Sequence, residues 1–224
     1  MRRILQLVVA LFAVAISVPP IGSATQGRAA ATQQERKTSE PYAGDLSIFE
    51  SPGREDRLQI NRVMDILGIT NGKSVADIGA GSGWFTVRAA KRVGDGVVYA
   101  VDINPKAVDY IRERAEKEQL HNVKAMLSQA DDPELPRDSV DAVLLLKTYH
   151  EVAHPVELLR NLRTALRPGA KVGIIDRNGN GENHGVGSDV VIREAKQAGF
   201  QVIGKYDFVK PDNMDYFLVF TAAD

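Results

Sequence analysis

Short apolar runs alternate along the chain with longer amphipathic stretches, and the two periods predict strands and helices in alternation. Val140-Asp141-Ala142-Val143-Leu144-Leu145-Leu146 is almost unbroken after the turn at Asp138-Ser139, the mark of a central strand covered on both faces. Val97 to Val101, Asn122 to Leu127 and Lys171 to Asp176 read as further strands, and Val75-Ala76 leads into a glycine turn. Between them lie helical patterns. One starts at Ser51 or Asp56, carries Leu58, Val63, Met64, Ile66 and Leu67, and stops at Gly68. Others follow Trp84, run from Pro105 to Gln119 with Val108, Ile111 and Ala115 inward, from Pro155 to Leu166, and from Ser188 to Ala198. Phe200 to Ile203 and Tyr216 to Phe220 close the chain as two strands whose short connection makes them antiparallel.

The N-terminus breaks this pattern. Arg2-Arg3 precede an apolar run from Ile4 to Val18, then Pro19-Pro20 and small residues ending at Ala24. As a helix the run spans about 22 Å against a bilayer core of about 30 Å. Residues 1–24 are therefore expected to be a signal peptide, or else an anchor, that exports the chain to a periplasmic or other extracytoplasmic location. A cytoplasmic protein would follow only from a misassigned start. Residues 25–41 are polar and small and read as a disordered linker, which leaves 42–224 as the folded domain.

Charge narrows the partners. Twenty-eight basic against 29 acidic residues give a net charge of −1, so no global field attracts nucleic acid, and a membrane is expected only through the N-terminal segment. Cysteine is absent, which excludes disulfides, thiolate metal sites and cysteine nucleophiles.

The candidate chemistry begins at Asp77-Ile78-Gly79-Ala80-Gly81-Ser82-Gly83, where a strand ends and a helix begins. Glycines at alternate positions let a ligand lie against the main chain and face the N–H groups of the helix. A dinucleotide motif would need glycine where Trp84 stands. Asp102 ends the second strand, 19 residues beyond Gly83, where a carboxylate can accept two ribose hydroxyls or cap the helix that Asn104-Pro105 starts.

Asp77-x-Gly79-x-Gly81-x-Gly83 resembles the first motif of the class I S-adenosylmethionine-dependent methyltransferases. Leu166-Arg167-Pro168-Gly169 before a strand, and Tyr149-His150 before a proline-started helix, are similar to the same family. The resemblance runs from Leu58 to the C-terminus. It implies a Rossmann-like, doubly wound seven-stranded α/β sheet, mostly parallel with an antiparallel last strand, and S-adenosyl-L-methionine as cofactor. It places Asp77, Gly79, Ala80 and Gly81 at the methionine end, Asp102 and Ile103 at the ribose, Ala130 and Asp131 at the adenine, and Lys147 at the pocket. The segment before the first strand would lie across that pocket or pack on the sheet edge.

The implied activity is methyl transfer to a small-molecule acceptor, through oxygen or nitrogen. His150 is the expected base, since imidazole titrates near neutrality, and Tyr149 is expected to shape the acceptor pocket. A non-catalytic S-adenosylmethionine-binding protein of the same fold is the alternative. His150-Glu151-Val152-Ala153-His154 also matches the H-E-x-x-H pattern of zinc hydrolases, but Pro155 disfavours helical geometry at His154, so no metal site is expected. Asn178 to Gly187, with four glycines, reads either as a loop closing over substrate or as a plain surface connection.

Overall fold

A computed structural model of the chain describes residues 36–39, 41–42 and 44–223. The expected signal segment 1–24 and all of the linker before Arg36 lie outside the described residues. Among those described, no helix is long and apolar enough to cross a membrane.

Seven strands form one sheet: β1 (Val75–Ile78), β2 (Val98–Asp102), β3 (Val123–Leu127), β4 (Val140–Leu146), β5 (Leu166–Asp176), β6 (Phe200–Tyr206) and β7 (Tyr216–Ala222). Their spatial order is β3-β2-β1-β4-β5-β7-β6. β1 through β5 pair in parallel, and β7 runs antiparallel between β5 and β6. This is the doubly wound sheet with a reversed last strand that the sequence predicts. The strand order reverses at β1 and β4, and such a switch point opens a crevice outside the carboxyl ends of the strands.

Helices cover both faces. On one lie α1 (Arg54–Leu58), α2 (Ile60–Leu67), α3 (Trp84–Val93) and α4 (Pro105–Lys117); on the other lie α5 (Pro155–Arg163) and α6 (Ser188–Gln197). Strand alternation assigns side chains to them. Val75 and Asp77 face α3, whereas Ala76 and Ile78 join the core under α5 and α6. The connection from β3 to β4 contains no helix, which leaves β3 only partly buried.

Two expectations shift in detail. The single N-terminal helix is two, broken at Gln59, whose left-handed backbone (φ 51°) cannot continue an α-helix. The fifth helix ends at Arg163 rather than Leu166, and β5 absorbs Arg167 to Ala170 as an irregularity, Val140 pairing with Leu166 while Ala142 pairs with Lys171.

Residues of the expected linker are packed. Arg36 donates through its backbone N–H to the carbonyl of Ala153 and through its guanidinium to the carbonyl of Val152 (2.8 Å) and to Glu194 (2.9 Å). The hydroxyl of Ser39, a buried residue, donates to the carbonyl of Gly181 and accepts from the N–H of His184. The glycine-rich connection 178–187 is thereby stitched to the N-terminal segment, and a bridge between Asn180 and Val186 folds it on itself.

Candidate active site

A cavity of about 900 Å³ opens over the carboxyl ends of β2, β1, β4 and β5. Its floor is the glycine turn. Gly79, Gly81 and Gly83 all have φ between 54° and 72°, a region in which a side chain costs about 1 kcal/mol or more. At Gly79 the space is closed as well, since a Cβ would sit 2.2 Å from Cγ2 of Thr148 on the neighbouring strand end. The two strand ends are locked face to face, and Thr148 donates to the Gly79 carbonyl (3.3 Å). Gly79, Ala80 and Gly81 line the cavity as the sequence motif predicts.

Two carboxylates stand at this end. Asp77, 2% exposed, accepts from the hydroxyl of Thr86 on α3 (2.6 Å) and lines the cavity. Burial lifts its pKa to about 7; the bond from Thr86 opposes this and the charge of Asp102 adds to it. Asp102 accepts from the N–H of Gly81 and of Asn104, both at 2.8 Å, so it pins the glycine turn to the start of α4. Its pKa is also raised, again by burial. The capping role falls to Asn104, whose side chain accepts from the Lys106 N–H, so Asp102 is not consumed as the cap. Ile103, half-exposed, forms the adjoining wall with Asn104.

Beyond β3 the wall is Ser128, Gln129 and Ala130. Ala130 is where the sequence predicts it. Asp131 is not among the lining residues; its carbonyl accepts from the Asn161 side chain. Lys147 lines the cavity with left-handed backbone (φ 57°) just past β4.

The N-terminal segment forms the opposite wall, with Tyr42, Leu46, Ile48 and Phe49 lining the cavity. Of the two readings of this segment, each holds for a part: the loop before α1 lies across the pocket, while Leu58, Ile60, Val63, Met64 and Leu67 of α1 and α2 pack on the sheet. Glu50 holds the loop there by accepting from the Ser82 hydroxyl (2.8 Å) and from both terminal nitrogens of Arg114 on α4 (2.5 and 3.1 Å). Arg54, a further lining residue, lies against Trp84 and pairs with buried Asp212 (3.1 Å). No local pattern marks Phe49 as a wall residue or pairs Glu50 with Arg114, 64 positions away.

At the far end, His150 and Glu151 enter on a short 3-10 turn, Tyr149–Glu151. His150 is 1% exposed, and its Nδ1 lies 2.8 and 3.0 Å from the two oxygens of Asp176 at the end of β5. Asp176 also accepts from the His150 backbone N–H. That carboxylate fixes the Nδ1–H tautomer and leaves Nε2, which has no hydrogen-bond partner among the described residues, as an acceptor on the cavity side. Glu151 lies 3.7 Å from Nε2, and burial pushes its pKa up to about 7. The ring of His184, on the 178–187 connection, stands edge-on to His150 with centroids 5.8 Å apart. Asp176 and His184 escaped the sequence analysis because only tertiary packing brings them to His150.

Tyr149 departs from its expected place. It is fully buried and does not line the cavity; the 3-10 turn points it under the sheet, where its hydroxyl donates to Glu194 (2.9 Å) and Arg36 lies over its ring. His154 departs from the H-E-x-x-H geometry. The turn ends at Glu151 and His154 is the residue before α5, so the two imidazoles do not share a helix face; His184 stands by His150 and Glu151 instead.

Residues 75–169 match the family described as Methyltransferase domain. An uncharacterized methyltransferase of Mycobacterium tuberculosis is 35% identical over 103 residues, 46% of this chain and 39% of that protein. Aklanonic acid methyltransferase DauC of a Streptomyces species is 36% identical over 84 residues, 37% of this chain and 38% of that protein. The chain thus spans about two fifths of the length of these curated relatives. The crystal structure of a SAM-dependent methyltransferase from Aquifex aeolicus superposes with a TM-score of 0.71 at 26% identity, over 80% of this chain and 98% of that one. Residues 75–169 thus resemble a methyltransferase domain, and the Aquifex aeolicus enzyme shares the fold over 80% of this chain.

Proposed function

We propose that the chain transfers a methyl group from S-adenosylmethionine to a small-molecule acceptor, through an oxygen or nitrogen atom. The observation that carries this reading is one continuous cavity with two carboxylates over a bare glycine turn at β1 and β2, and an unpartnered imidazole nitrogen on the turn that follows β4. The residues fit the cofactor. Gly79, Ala80 and Gly81 expose main chain, Asp77 offers negative charge to an ammonium or sulfonium, and Asp102 and Ile103 offer an acceptor and an apolar wall to a ribose and base. When bound, the cofactor supplies an activated methyl group.

What this chain contributes is orientation, water exclusion and one proton transfer. The N-terminal wall of Tyr42, Leu46 and Phe49 shields the cavity. His150, held by Asp176, takes the proton of an acceptor hydroxyl or ammonium at Nε2. The printed name of the Streptomyces relative, for aklanonic acid, supports a small-molecule acceptor. We further propose that residues 1–24 direct export, which cell fractionation and N-terminal sequencing of the mature protein would test.

Isothermal titration with S-adenosylmethionine, S-adenosylhomocysteine and NAD tests the cofactor. Release of S-adenosylhomocysteine on a panel of hydroxyl and amine acceptors tests the transfer. Tight binding of NAD in place of the two adenosyl ligands would end this reading. Binding without turnover of any acceptor, when the whole panel is exhausted, would favour the non-catalytic alternative.

A further inference from the structure

His150, Glu151 and His184 bring one potential metal-ligand atom each to the cavity, and those atoms lie within 4.8 Å of one another. Three features set this group apart from a chance cluster. The Nε2 atom of His150 is buried, faces the cavity and has no hydrogen-bond partner among the described residues, an arrangement that is unfavourable unless a ligand or water relieves it. Its Nδ1 is backed by the carboxylate of Asp176 at 2.8 Å, the outer-shell partner that orients metal-binding imidazoles and makes them more basic. Finally, Glu151 and His184 are the more accessible members. Glu151 is only partly buried, and His184 sits exposed on a connection anchored to Ser39 through its own N–H.

We propose that these three side chains bind a divalent first-row transition cation, with zinc the best fit. Two imidazoles and a carboxylate form a borderline nitrogen and oxygen set that suits zinc, iron or cobalt and disfavours magnesium, which demands oxygen ligands. Tetrahedral zinc bonded at about 2.0–2.1 Å needs donors about 3.3 Å apart, so the cluster must close by about 1 Å or more. Rotation of the exposed His184 ring and of the Glu151 carboxylate supplies that movement while buried His150 stays fixed. Three protein ligands leave a fourth position open toward the cavity, the pattern of a catalytic rather than a structural site. The cation would therefore take an acceptor oxygen as its fourth ligand. The acceptor O–H bond then breaks on the metal, the proton leaving to bulk water and the electron pair remaining on oxygen. Nε2 cannot bind a proton and a metal at once, so the cation replaces His150 as the activating group.

Cation binding does not depend on the methyltransferase reading; only its use in activating an acceptor rests on it. Full-length protein purified without a polyhistidine tag, then stripped with chelator, is titrated with Co²⁺ by visible absorption and with Zn²⁺ by calorimetry. S-adenosylmethionine is titrated into the same samples. One equivalent of Co²⁺ with the intense bands of low coordination is expected, displaced by Zn²⁺ and indifferent to a large excess of Mg²⁺. His184→Ala and Glu151→Gln should each weaken the metal at least about tenfold with the far-UV circular dichroism spectrum unchanged. Asp176→Asn should weaken it about 10–100-fold as an outer-shell partner. Absence of the cobalt bands while S-adenosylmethionine still binds would overturn the metal site alone. Undiminished binding in both His184→Ala and Glu151→Gln would also overturn it, by placing the ion elsewhere. Metal binding without any affinity for S-adenosylmethionine would leave this site standing and remove the methyltransferase reading.

Discussion

Titrating Asp77 offers a direct test of the methionine end of the cavity. Its carboxyl has no cation paired against it; it lies 2% exposed behind the glycine turn, and burial raises its pKa from 3.8 to about 7. Only the ionised form attracts the positive charges of the cofactor, so the competent fraction falls about tenfold for each pH unit below 7. Affinity for S-adenosylmethionine should then be about 100-fold weaker at about pH 5 than at about pH 8. Binding near pH 6 should release roughly one proton, measurable by calorimetry in buffers of different ionisation heat.

Asp77→Asn keeps the shape and the acceptor for Thr86 but removes the charge. It should bind at about the low-affinity level throughout, leaving only the slope that Glu151, raised by burial to about 7, contributes in the same window. Stability moves the opposite way. A carboxyl whose folded pKa lies above its unfolded value contributes stability below about pH 4 and loses it as pH rises through about 7, on the order of 4 kcal/mol here. The asparagine variant should accordingly melt above the wild type at about pH 8, and the gap should narrow as pH falls and close toward about pH 4. An affinity that is flat from about pH 5 to 8, with Asp77→Asn binding as tightly as the wild type, would refute the role of this carboxylate.

Other perturbations separate structural from chemical roles. Gly79→Ala places a Cβ 2.2 Å from Thr148 at φ 70°, so a loss of about 2 kcal/mol or more in urea unfolding is expected, partly restored by adding Thr148→Ala. Glu50→Gln should free the N-terminal wall from Arg114, raising the dissociation constant for S-adenosylmethionine severalfold and exposing residues near Phe49 to limited proteolysis, with little change in unfolding midpoint. Tyr149→Phe removes a buried hydroxyl from Glu194 and should cost about 1–3 kcal/mol of stability while leaving cofactor affinity unchanged; a selective loss of binding would return Tyr149 to the pocket. His150→Gln should lower turnover on the true acceptor by about 100-fold or more with cofactor binding retained, and undiminished turnover would remove it from the chemistry.

Strand, turn and helix at Val75 to Val93 could be read from the chain because local rules decide them: glycines at three positions needing positive φ, a buried run before and a helical spacing after. The reversed last strand was equally legible, since the connection between the two apolar runs carries no helical pattern and is too short for a parallel crossover, which favours antiparallel pairing. Asp102 was legible because a strand-helix-strand unit fixes where the second strand ends, whereas Ala130 followed only from the family resemblance. Other features had no local signature. Which way Tyr149 points depends on a three-residue 3-10 turn that sends successive side chains to opposite sides, and the H-E-x-x-H spacing has meaning only on a continuous helix. The Glu50–Arg114 and His150–Asp176 pairs join residues 64 and 26 positions apart, and charge alone does not say which carboxylate meets which partner. Sequence by itself determined the order of elements and the bare turn, because backbone sterics and hydrophobic period act within a few residues. Tertiary structure decided the wall across the cavity and the grouping of His150 with Asp176, Glu151 and His184, because those contacts exist only after the sheet has brought distant strand ends to one edge.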